Sequence, residues 1–317
     1  MKEPMRFACI RYLMSFVLVA ASCNAAAGPL ADLYSDYQRV ASEGRKTHIA
    51  DIDNDSLTLK NEDSLYTSGF RYTRKYTLED SGGATAFSWR VGQELYTPSD
   101  IKLPPEDVGP PDHPYAGWLY LGFFKERFGA DGSHTKVGVD LGCLGPCAGG
   151  KWTQTNLHRL INQNLPRGWS KQVKNEVGVI LHAEMTPVRW MPTSWLDIAP
   201  RIEGRFGNIH TDVTGGLTLR AGQLNVLPER PGWFGFVRAD MRAVAYDATL
   251  QGGYFSSNNP HVVDPRRWVG EAEAGMAWSS GKYGARVSLV RRGNEIRGLS
   301  DSIGVQNFLR LQFSYTP

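Results

Sequence analysis

The chain has 317 residues, 41% of them hydrophobic, and its mean hydropathy is −0.35. No apolar run of about 18 residues occurs after the N-terminal region, which excludes a protein that spans a membrane with several helices. The 35 Lys and Arg residues nearly balance the 32 Asp and Glu residues, so we expect no nucleic-acid partner. The 34 glycines and an aromatic fraction of 11% indicate many turns.

The first 27 residues have the pattern of a secretory signal peptide. Three basic residues, the last of them Arg11, precede an apolar segment over residues 12–21, and three alanines at 25–27 supply a cleavage site. Cys23 leaves a lipoprotein signal as the alternative. We predict a signal peptide over residues 1–27.

Removal of that segment leaves two cysteines, Cys143 and Cys147. Two cysteines four residues apart in an exported protein can close a small disulfide loop. Two unpaired thiols on a loop are an equally supported alternative. The sequence has no histidine beside them, which argues against zinc.

The rest of the chain alternates between apolar and polar residues, which is typical of β-strands with one apolar face. Phe87, Trp89 and Val91, for example, are separated by polar or small residues. The segments with this period are 48–56, 66–78, 85–97, 115–128, 134–144, 175–188, 195–207, 211–224, 233–247, 266–279, 282–292 and 304–316.

Segment length and connection length favour a membrane barrel over a soluble sandwich. Most segments have about 10 residues or more, as tilted membrane strands do. Connections after even-numbered segments are short, whereas several others are long, namely 98–114, 145–174, 248–265 and 293–303. Short turns on one side and long loops on the other are typical of outer-membrane barrels. Aromatic residues near segment ends, predicted to form interfacial girdles, are Tyr96, Tyr115, Trp118, Trp190, Trp195, Trp233 and Trp268.

The predicted fold is therefore an all-β, antiparallel transmembrane barrel of twelve strands over residues 48–317, with a periplasmic N-terminal extension at 28–47. Charged residues on its polar face would point into the lumen: Arg201, Glu203, Arg205, Arg238, Asp240, Arg242, Glu271, Glu273 and Arg286. At this strand number, pairing among these charges would largely fill the interior. Functional residues are then expected among the long loops at the outer rim.

Two features of that rim carry candidate chemistry. Asp51, Asp53 and Asp55 lie close together at the outer end of the first strand, and Ca²⁺ binds several such oxygen ligands. A solvated acidic strand end is the alternative. The stretch 152–161 has helical spacing, with Gln154 and His158 four residues apart on one face and Leu157 and Ile161 on another. A histidine there is a candidate general base, although a lone histidine is more often a packing residue.

Several motifs in these segments, taken in order, resemble those of the outer-membrane lipid A 3′-O-deacylase family. They are Asn54-Asp55, Tyr66-Thr67-x-Gly69, Gln93-x-x-Tyr96-x-Pro98, Tyr115-Ala116-Gly117-Trp118, and Gly145-Pro146-x-Ala148-Gly149 followed by Gln154-x3-His158-Arg159. The match runs through about residues 50–190, and the later strands agree in character only.

The resemblance implies a twelve-stranded barrel and a Ca²⁺-dependent esterase that removes the 3′-linked acyloxyacyl chain of lipid A. His158 would be the base that activates water. Asn54, Asp55 and Thr67 would shape the catalytic centre, with Asp55 as metal ligand, and Gln154 would support it from the same helix face. Such an esterase acts on lipopolysaccharide in the bacterial outer membrane, with its active site facing the cell exterior, and we expect a monomer.

Three details of the resemblance remain open at this point. Lys102 is the candidate contact for a lipid A phosphate, with Leu103 in the alternative register. The family pattern has a glutamate six residues after the histidine, where this chain has Asn164, and Glu176 is a candidate replacement. Strict alternation turns Asn54 away from Asp55, a conflict that a bulge at the barrel rim would resolve.

Two alternatives to the deacylase are a different enzyme and a protein without catalysis. A phospholipase or other esterase on the same barrel is the first, although the sequence has no Gly-x-Ser-x-Gly nucleophile elbow. The second is a catalytically inactive barrel that serves as an adhesin, scaffold or narrow pore, and Asn164 in place of the glutamate favours it.

Overall fold

Thirteen antiparallel strands dominate the computed structural model, which describes residues 27–55, 65–225, 227 and 229–317. The predicted signal peptide, apart from its last residue, lies outside this range. The strands are β1 (Arg45–Asn54), β2 (Leu65–Asp80), β3 (Gly83–Thr97), β4 (Ala116–Gly129), β5 (His134–Leu144), β6 (Glu176–Thr186), β7 (Trp190–Thr193), β8 (Leu196–Gly207), β9 (His210–Gly222), β10 (Gly232–Asp247), β11 (Trp268–Ser279), β12 (Tyr283–Arg292) and β13 (Gln306–Tyr315). The helices are α1 (Ala27–Glu43), α2 (Gly150–Leu160), α3 (Ala248–Gln251) and α4 (Asp301–Gly304).

The sheet closes into a barrel because β1 pairs with β13, from His48 opposite Tyr315 to Asn54 opposite Leu309. Twelve strands form the wall, with β6 joined to β8. The extra strand, β7, pairs with β8 at a predicted turn. The predicted twelve-stranded antiparallel barrel is confirmed, with its first strand beginning at Arg45 rather than at residue 48.

Side chains alternate between the two faces of the wall, as the period of two predicted. Leu119 and Leu121 are 39% and 54% exposed, whereas Tyr120 between them is 4% exposed. The same alternation exposes Val177, Val179 and Leu181 on β6. The outward face is therefore the apolar face that contacts lipid. No helix within the described ranges has the length and apolar character to span a membrane.

The predicted aromatic girdle is correct for four residues and wrong for three. Trp190, Trp195, Trp233 and Trp268 are 48–69% exposed on the outside. The other three, Tyr96, Tyr115 and Trp118, are 8%, 0% and 1% exposed. They pack inside the barrel mouth and beneath the long loops, where the ring of Tyr115 lies 4.9 Å from that of Trp169.

Ion pairs fill much of the lumen, as predicted for its charged residues. Glu273 has a fully buried carboxylate, 2.7 Å from Arg238, 2.9 Å from Arg310 and 3.1 Å from Arg286. The other predicted lumenal charges also pair: Arg201 with Glu203 and Asp240, Arg205 with Asp212, Arg242 with Glu295, and Glu271 with Arg238 and Arg292. Most of these residues line an interior cavity of about 370 Å³.

Replacing Glu273 with alanine is expected to lower the free energy of unfolding by about 3–5 kcal/mol, because three arginines would lose a buried partner. Glu203→Ala is the matched control, since its carboxylate is 30% exposed and solvent can compensate for the loss. Urea titration of the barrel in detergent micelles measures both. Equal losses in the two variants would contradict this interpretation.

The N-terminal extension forms α1, a helix that the sequence analysis did not predict. The Tyr37 ring contacts the rings of Tyr76, Phe87, Trp89 and Phe123 edge-on. On the same side of α1, Asp36 accepts a 2.7 Å hydrogen bond from Lys125, and this bond lowers the pKa of Asp36. Since Trp89 belongs to the outward face, α1 lies against the outside of the barrel at its short-turn end.

Candidate active site

The helix α2 covers the outside of the wall at the opposite, long-loop end. Leu95 on β3 pairs with Gly117 on β4. Gly117 is two residues before the outward-facing Leu119, so this pair also lies on the outer face of the wall. A Cβ on Gly150, the first residue of α2, would lie 2.9 Å from Leu95 Cδ2 and 2.7 Å from the Trp169 ring. Only glycine permits so close an approach of the helix to the wall.

The segment before α2 is held at several points. A disulfide joins Cys143 and Cys147, which decides between the two states that the sequence left open. The Gly145 N–H donates to the Gly117 carbonyl at 2.8 Å, and Gln93 Nε2 donates to the Ala148 carbonyl at 2.6 Å. The start of α2 is therefore fixed to β3 and β4 before the helix reaches its functional residues.

Gln154 and His158 form the buried face of α2, with exposures of 1% and 3%. Trp169 Nε1 donates to Gln154 Oε1 at 2.8 Å. His158 Nδ1 lies 2.5 Å from the backbone carbonyl of Asn164. A carbonyl only accepts, so Nδ1 carries the proton and Nε2 is the basic nitrogen of the neutral ring.

This hydrogen bond explains how Asn164 can stand where the family pattern has glutamate. The contact with His158 comes from the main chain, and the Asn164 residue itself is exposed. Any residue at position 164 supplies the same carbonyl. The departure from the pattern therefore leaves this orientation of the imidazole intact.

Substitution of Asn164 by alanine or by glutamate is accordingly expected to change turnover of the substrate by no more than about twofold, as for exposed positions without a specific contact. Initial rates of the two variants beside the unmodified protein measure this. A loss of more than tenfold in Asn164→Ala would assign a role to the amide side chain.

Glu176, the candidate replacement for the missing glutamate, has other partners. Its carboxylate accepts hydrogen bonds from Asn208 Nδ2 at 2.7 Å and from the backbone N–H groups of Tyr254, Phe255 and Ser256 at 2.9–3.0 Å. Glu176 therefore anchors the long loop that follows α3. None of its hydrogen bonds with described residues goes to His158.

Asn54, Asp55 and Thr67 come together at the outer ends of β1 and β2. Asn54 pairs with Ser68 across the strands, and the Asp55 N–H donates to the Thr67 carbonyl at 3.4 Å. A bulge between Tyr66 and Ser68 displaces Thr67 from strict alternation. This bulge lies on β2, and β1 pairs with β2 without a shift through Asn54. The bulge that would turn Asn54 toward Asp55 is therefore not found within β1.

The outer end of β3 links these residues to α2. The Thr67 hydroxyl lies 2.7 Å from that of Thr97, and Leu95, which contacts the start of α2, precedes Thr97 by two residues on the same face. Sequence reasoning missed Gln93, Thr97 and Trp169 as parts of this site. The consecutive glycines 149 and 150 are the one local sequence feature that indicates a close approach of the helix to the barrel wall.

The other acidic residues of the first strand have partners of their own. Asp51 Oδ2 lies 3.3 Å from Arg71, and Asp53 Oδ1 lies 3.1 Å from Arg310. Both carboxylates pair with arginines, so the three aspartates do not form the expected cation-binding cluster. Within the described ranges no group of three or more His, Cys, Asp or Glu residues could hold a metal ion. The Asp55 carboxylate, with oxygens of Asn54 and Thr67, is still a set of hard donors that suits Ca²⁺.

The loop over residues 98–115, which joins β3 to β4, lies next to α2 at the long-loop end of the barrel. Leu103 packs with Leu95 and Trp169, whereas Lys102 is exposed to solvent. In the same loop His113 is 2% exposed, its Nδ1 donates to the Pro114 carbonyl at 2.6 Å, and burial lowers the pKa of its imidazole. His113 is therefore a neutral packing residue, and Lys102 is an exposed basic residue at this edge.

These features define a β-barrel membrane protein with an enzyme-like site on its outer wall, between the strands and a covering helix. The model of the family "Outer membrane protein LpxR" matches residues 12–316. The chain therefore belongs to the LpxR family, the outer-membrane lipid A 3′-O-deacylases that its ordered motifs indicate, and is a protein of the outer membrane.

Three solved structures resemble the barrel. LpxR from Salmonella typhimurium superposes with a TM-score of 0.72 at 18% identity, over 86% of this chain and 100% of that one. The β domain of the Bordetella autotransporter Brka gives 0.47 at 13% identity, over 86% and 98%. The translocator domain of the autotransporter NalP from Neisseria meningitidis gives 0.41 at 11% identity, over 92% and 98%. No curated protein matches the sequence.

Proposed function

We propose that the protein hydrolyses the ester that links the 3′-acyloxyacyl chain to lipid A, with His158 as the general base. The observation that carries this proposal is the position of His158. It is buried on α2, its Nδ1–H is directed to the Asn164 carbonyl, and the helix lies on the membrane-facing side of the wall. Membership of the LpxR family supports the same substrate.

His158 would act through Nε2. This nitrogen accepts a proton from water as the water oxygen bonds to the ester carbonyl carbon, and the imidazolium then returns the proton to the departing sugar oxygen. The products are the free acyloxyacyl acid and a 3′-hydroxyl. The Asn164 carbonyl stabilises the imidazolium through Nδ1–H, and the bond from Trp169 holds Gln154 beside it on the helix.

The donor set described above would hold Ca²⁺, with Asp55 as the charged ligand and Asn54 and Thr67 as neutral ones. Bound Ca²⁺ supplies positive charge that stabilises the oxyanion developing on the ester carbonyl. The Asp55 backbone hydrogen bond to Thr67 and the hydroxyl contact of Thr67 with Thr97 keep these oxygens in place.

The surroundings of the site favour a lipid substrate. Leu119 and Leu121, on the strand beneath α2, are exposed apolar residues of the lipid-facing wall. A substrate in the same leaflet therefore arrives laterally, without leaving the membrane. Long loops of outer-membrane barrels are extracellular, so the site would face the leaflet that contains lipid A. Lys102 would contact a phosphate, and the protein would act as a monomer.

The direct test is hydrolysis by the purified barrel in detergent with Ca²⁺. We expect release of an acyloxyacyl acid from lipid A and no release of fatty acid from phosphatidylethanolamine. Hydrolysis of the phospholipid alone would favour the phospholipase alternative. A folded protein that hydrolyses neither would favour the inactive barrel.

A further inference from the structure

The side of α2 that faces away from the barrel has an unusual composition. Trp152 and Leu160 are 73% and 82% exposed, and the neighbouring Lys151 and Arg159 are also exposed. These four exposed residues are here called the α2 outer face. At 3.6 residues per turn, Trp152, Arg159 and Leu160 lie about 100–160° around the helix from Gln154 and His158, whereas Lys151 lies about 20–60° from them and is exposed on the first turn of the helix. The helix thus buries polar residues and exposes apolar and basic ones.

The loop that contains α2 is also strongly basic. Residues 145–175 include no Asp or Glu, although the whole chain is nearly balanced in charge. The basic residues of the loop are Lys151, Arg159, Arg167, Lys171 and Lys174. None of them forms an ion pair with a residue in the described part of the chain, in contrast to the paired arginines of the lumen. This charge is therefore available to an anionic partner outside the barrel.

The position of α2 determines which partner that is. The helix packs on outward-facing residues of β3 and β4, directly above the lipid-facing Leu119 and Leu121. Exposed Trp and Leu beside Lys and Arg are typical of helices at the boundary between headgroups and acyl chains. A water-soluble anion would pair with the basic residues but would offer no apolar contact to Trp152 and Leu160. A lipid with anionic groups provides both the charge and the apolar contact.

We propose that the α2 outer face binds a phosphorylated glycolipid of the leaflet in which the active site lies. Lys151 and Arg159 contact its phosphate groups, and Trp152 and Leu160 contact its acyl chains. The inference rests on the proposed function for the nature of the lipid. It adds a docking surface separate from the buried catalytic residues and from Lys102, and this surface retains the substrate beside His158.

The test measures binding without turnover, in a His158→Ala background reconstituted in detergent micelles. Dissociation constants are compared for bisphosphorylated lipid A and for the same lipid A after removal of its phosphates. Lys151→Gln combined with Arg159→Gln should weaken binding of the phosphorylated form about 10-fold, since each basic residue near an anionic lipid surface contributes about a fivefold factor in affinity before salt screening. Binding of the dephosphorylated form should be unchanged. Lys282→Gln, an exposed lysine at the other end of the barrel, is the matched control.

A second pair of variants separates the apolar contribution. Trp152→Ser combined with Leu160→Ser should weaken binding of both lipid forms, whereas phosphatidylglycerol should bind the unmodified face at least 10-fold more weakly than lipid A does. Unchanged affinity in the Lys151 and Arg159 double variant, or equal affinity for phosphatidylglycerol, would overturn the proposal. If the protein with His158 intact fails to deacylate lipid A but these binding differences persist, the proposed function is rejected and the docking surface stands.

Discussion

Replacement of His158 with alanine is expected to lower turnover of lipid A by about 10²- to 10⁴-fold, the usual contribution of a general base. The reason is that Nε2 of this ring is the proton acceptor in the proposed mechanism, with Nδ1–H held by the Asn164 carbonyl. Initial rates of release of the acyloxyacyl acid, measured with Ca²⁺ in detergent, give this ratio.

The control for this variant is His48→Ala. His48 lies on the outer face near the short-turn end, where its Nδ1 is 2.6 Å from the Tyr72 hydroxyl. Loss of this imidazole should leave turnover unchanged. The proposed role of His158 would be refuted if the alanine variant, folded as judged by its heat-modifiable migration, kept more than a tenth of the activity.

Asp55→Asn is expected to have the second-largest effect. The substitution preserves the shape of the side chain and the Asp55 N–H bond to the Thr67 carbonyl, but it removes the charge that would hold Ca²⁺. The Ca²⁺ concentration for half-maximal activity should rise by about 10- to 100-fold, as for disturbed metal sites in general. A titration of activity with Ca²⁺ measures the shift.

Asp51→Asn is the matched variant, four residues earlier in the chain and within β1. Its carboxylate pairs with Arg71 and accepts a 2.7 Å hydrogen bond from Gln312 inside the barrel. We expect it to lower stability and to leave the Ca²⁺ requirement unchanged. Equal shifts in the two variants would show that the metal does not depend on Asp55 in particular.

The barrel could be predicted from the sequence because its signal is local. Alternation of apolar and polar residues is visible within a single strand, and the lengths of the connections indicate which end carries the loops. Helix α1 could not be predicted in the same way. Its stability comes from the contacts of Tyr37 with Phe87 and Trp89, residues about fifty positions away.

Helix α2 was predicted, but its buried face was not. An amphipathic helix ordinarily packs its apolar side inward, whereas here Gln154 and His158 are inside and Trp152 and Leu160 are outside. The cause lies in partners that the segment after the helix supplies. The indole of Trp169 and the carbonyl of Asn164 satisfy the polar groups, and the membrane is available to the apolar ones.

The remaining errors have the same origin in tertiary contacts. The acidic run at the end of β1 reads as one cluster, but Asp51 and Asp53 pair with arginines that come from other strands. The bulge at Thr67, beside which the Thr67 hydroxyl contacts that of Thr97, has no local signature. Likewise, the comparison of asparagine with the family's glutamate at position 164 considers only side chains. It overlooks the hydrogen bond between His158 and the main-chain carbonyl of this residue.

The most direct measurement of the central claim is the mass of lipid A from outer membranes in which the protein is expressed. With the unmodified chain and Ca²⁺, lipid A should lose the mass of its 3′-acyloxyacyl group, and the His158→Ala variant should leave that mass intact. Lipid A of unchanged mass, in membranes that contain the folded protein and Ca²⁺, would contradict the claim.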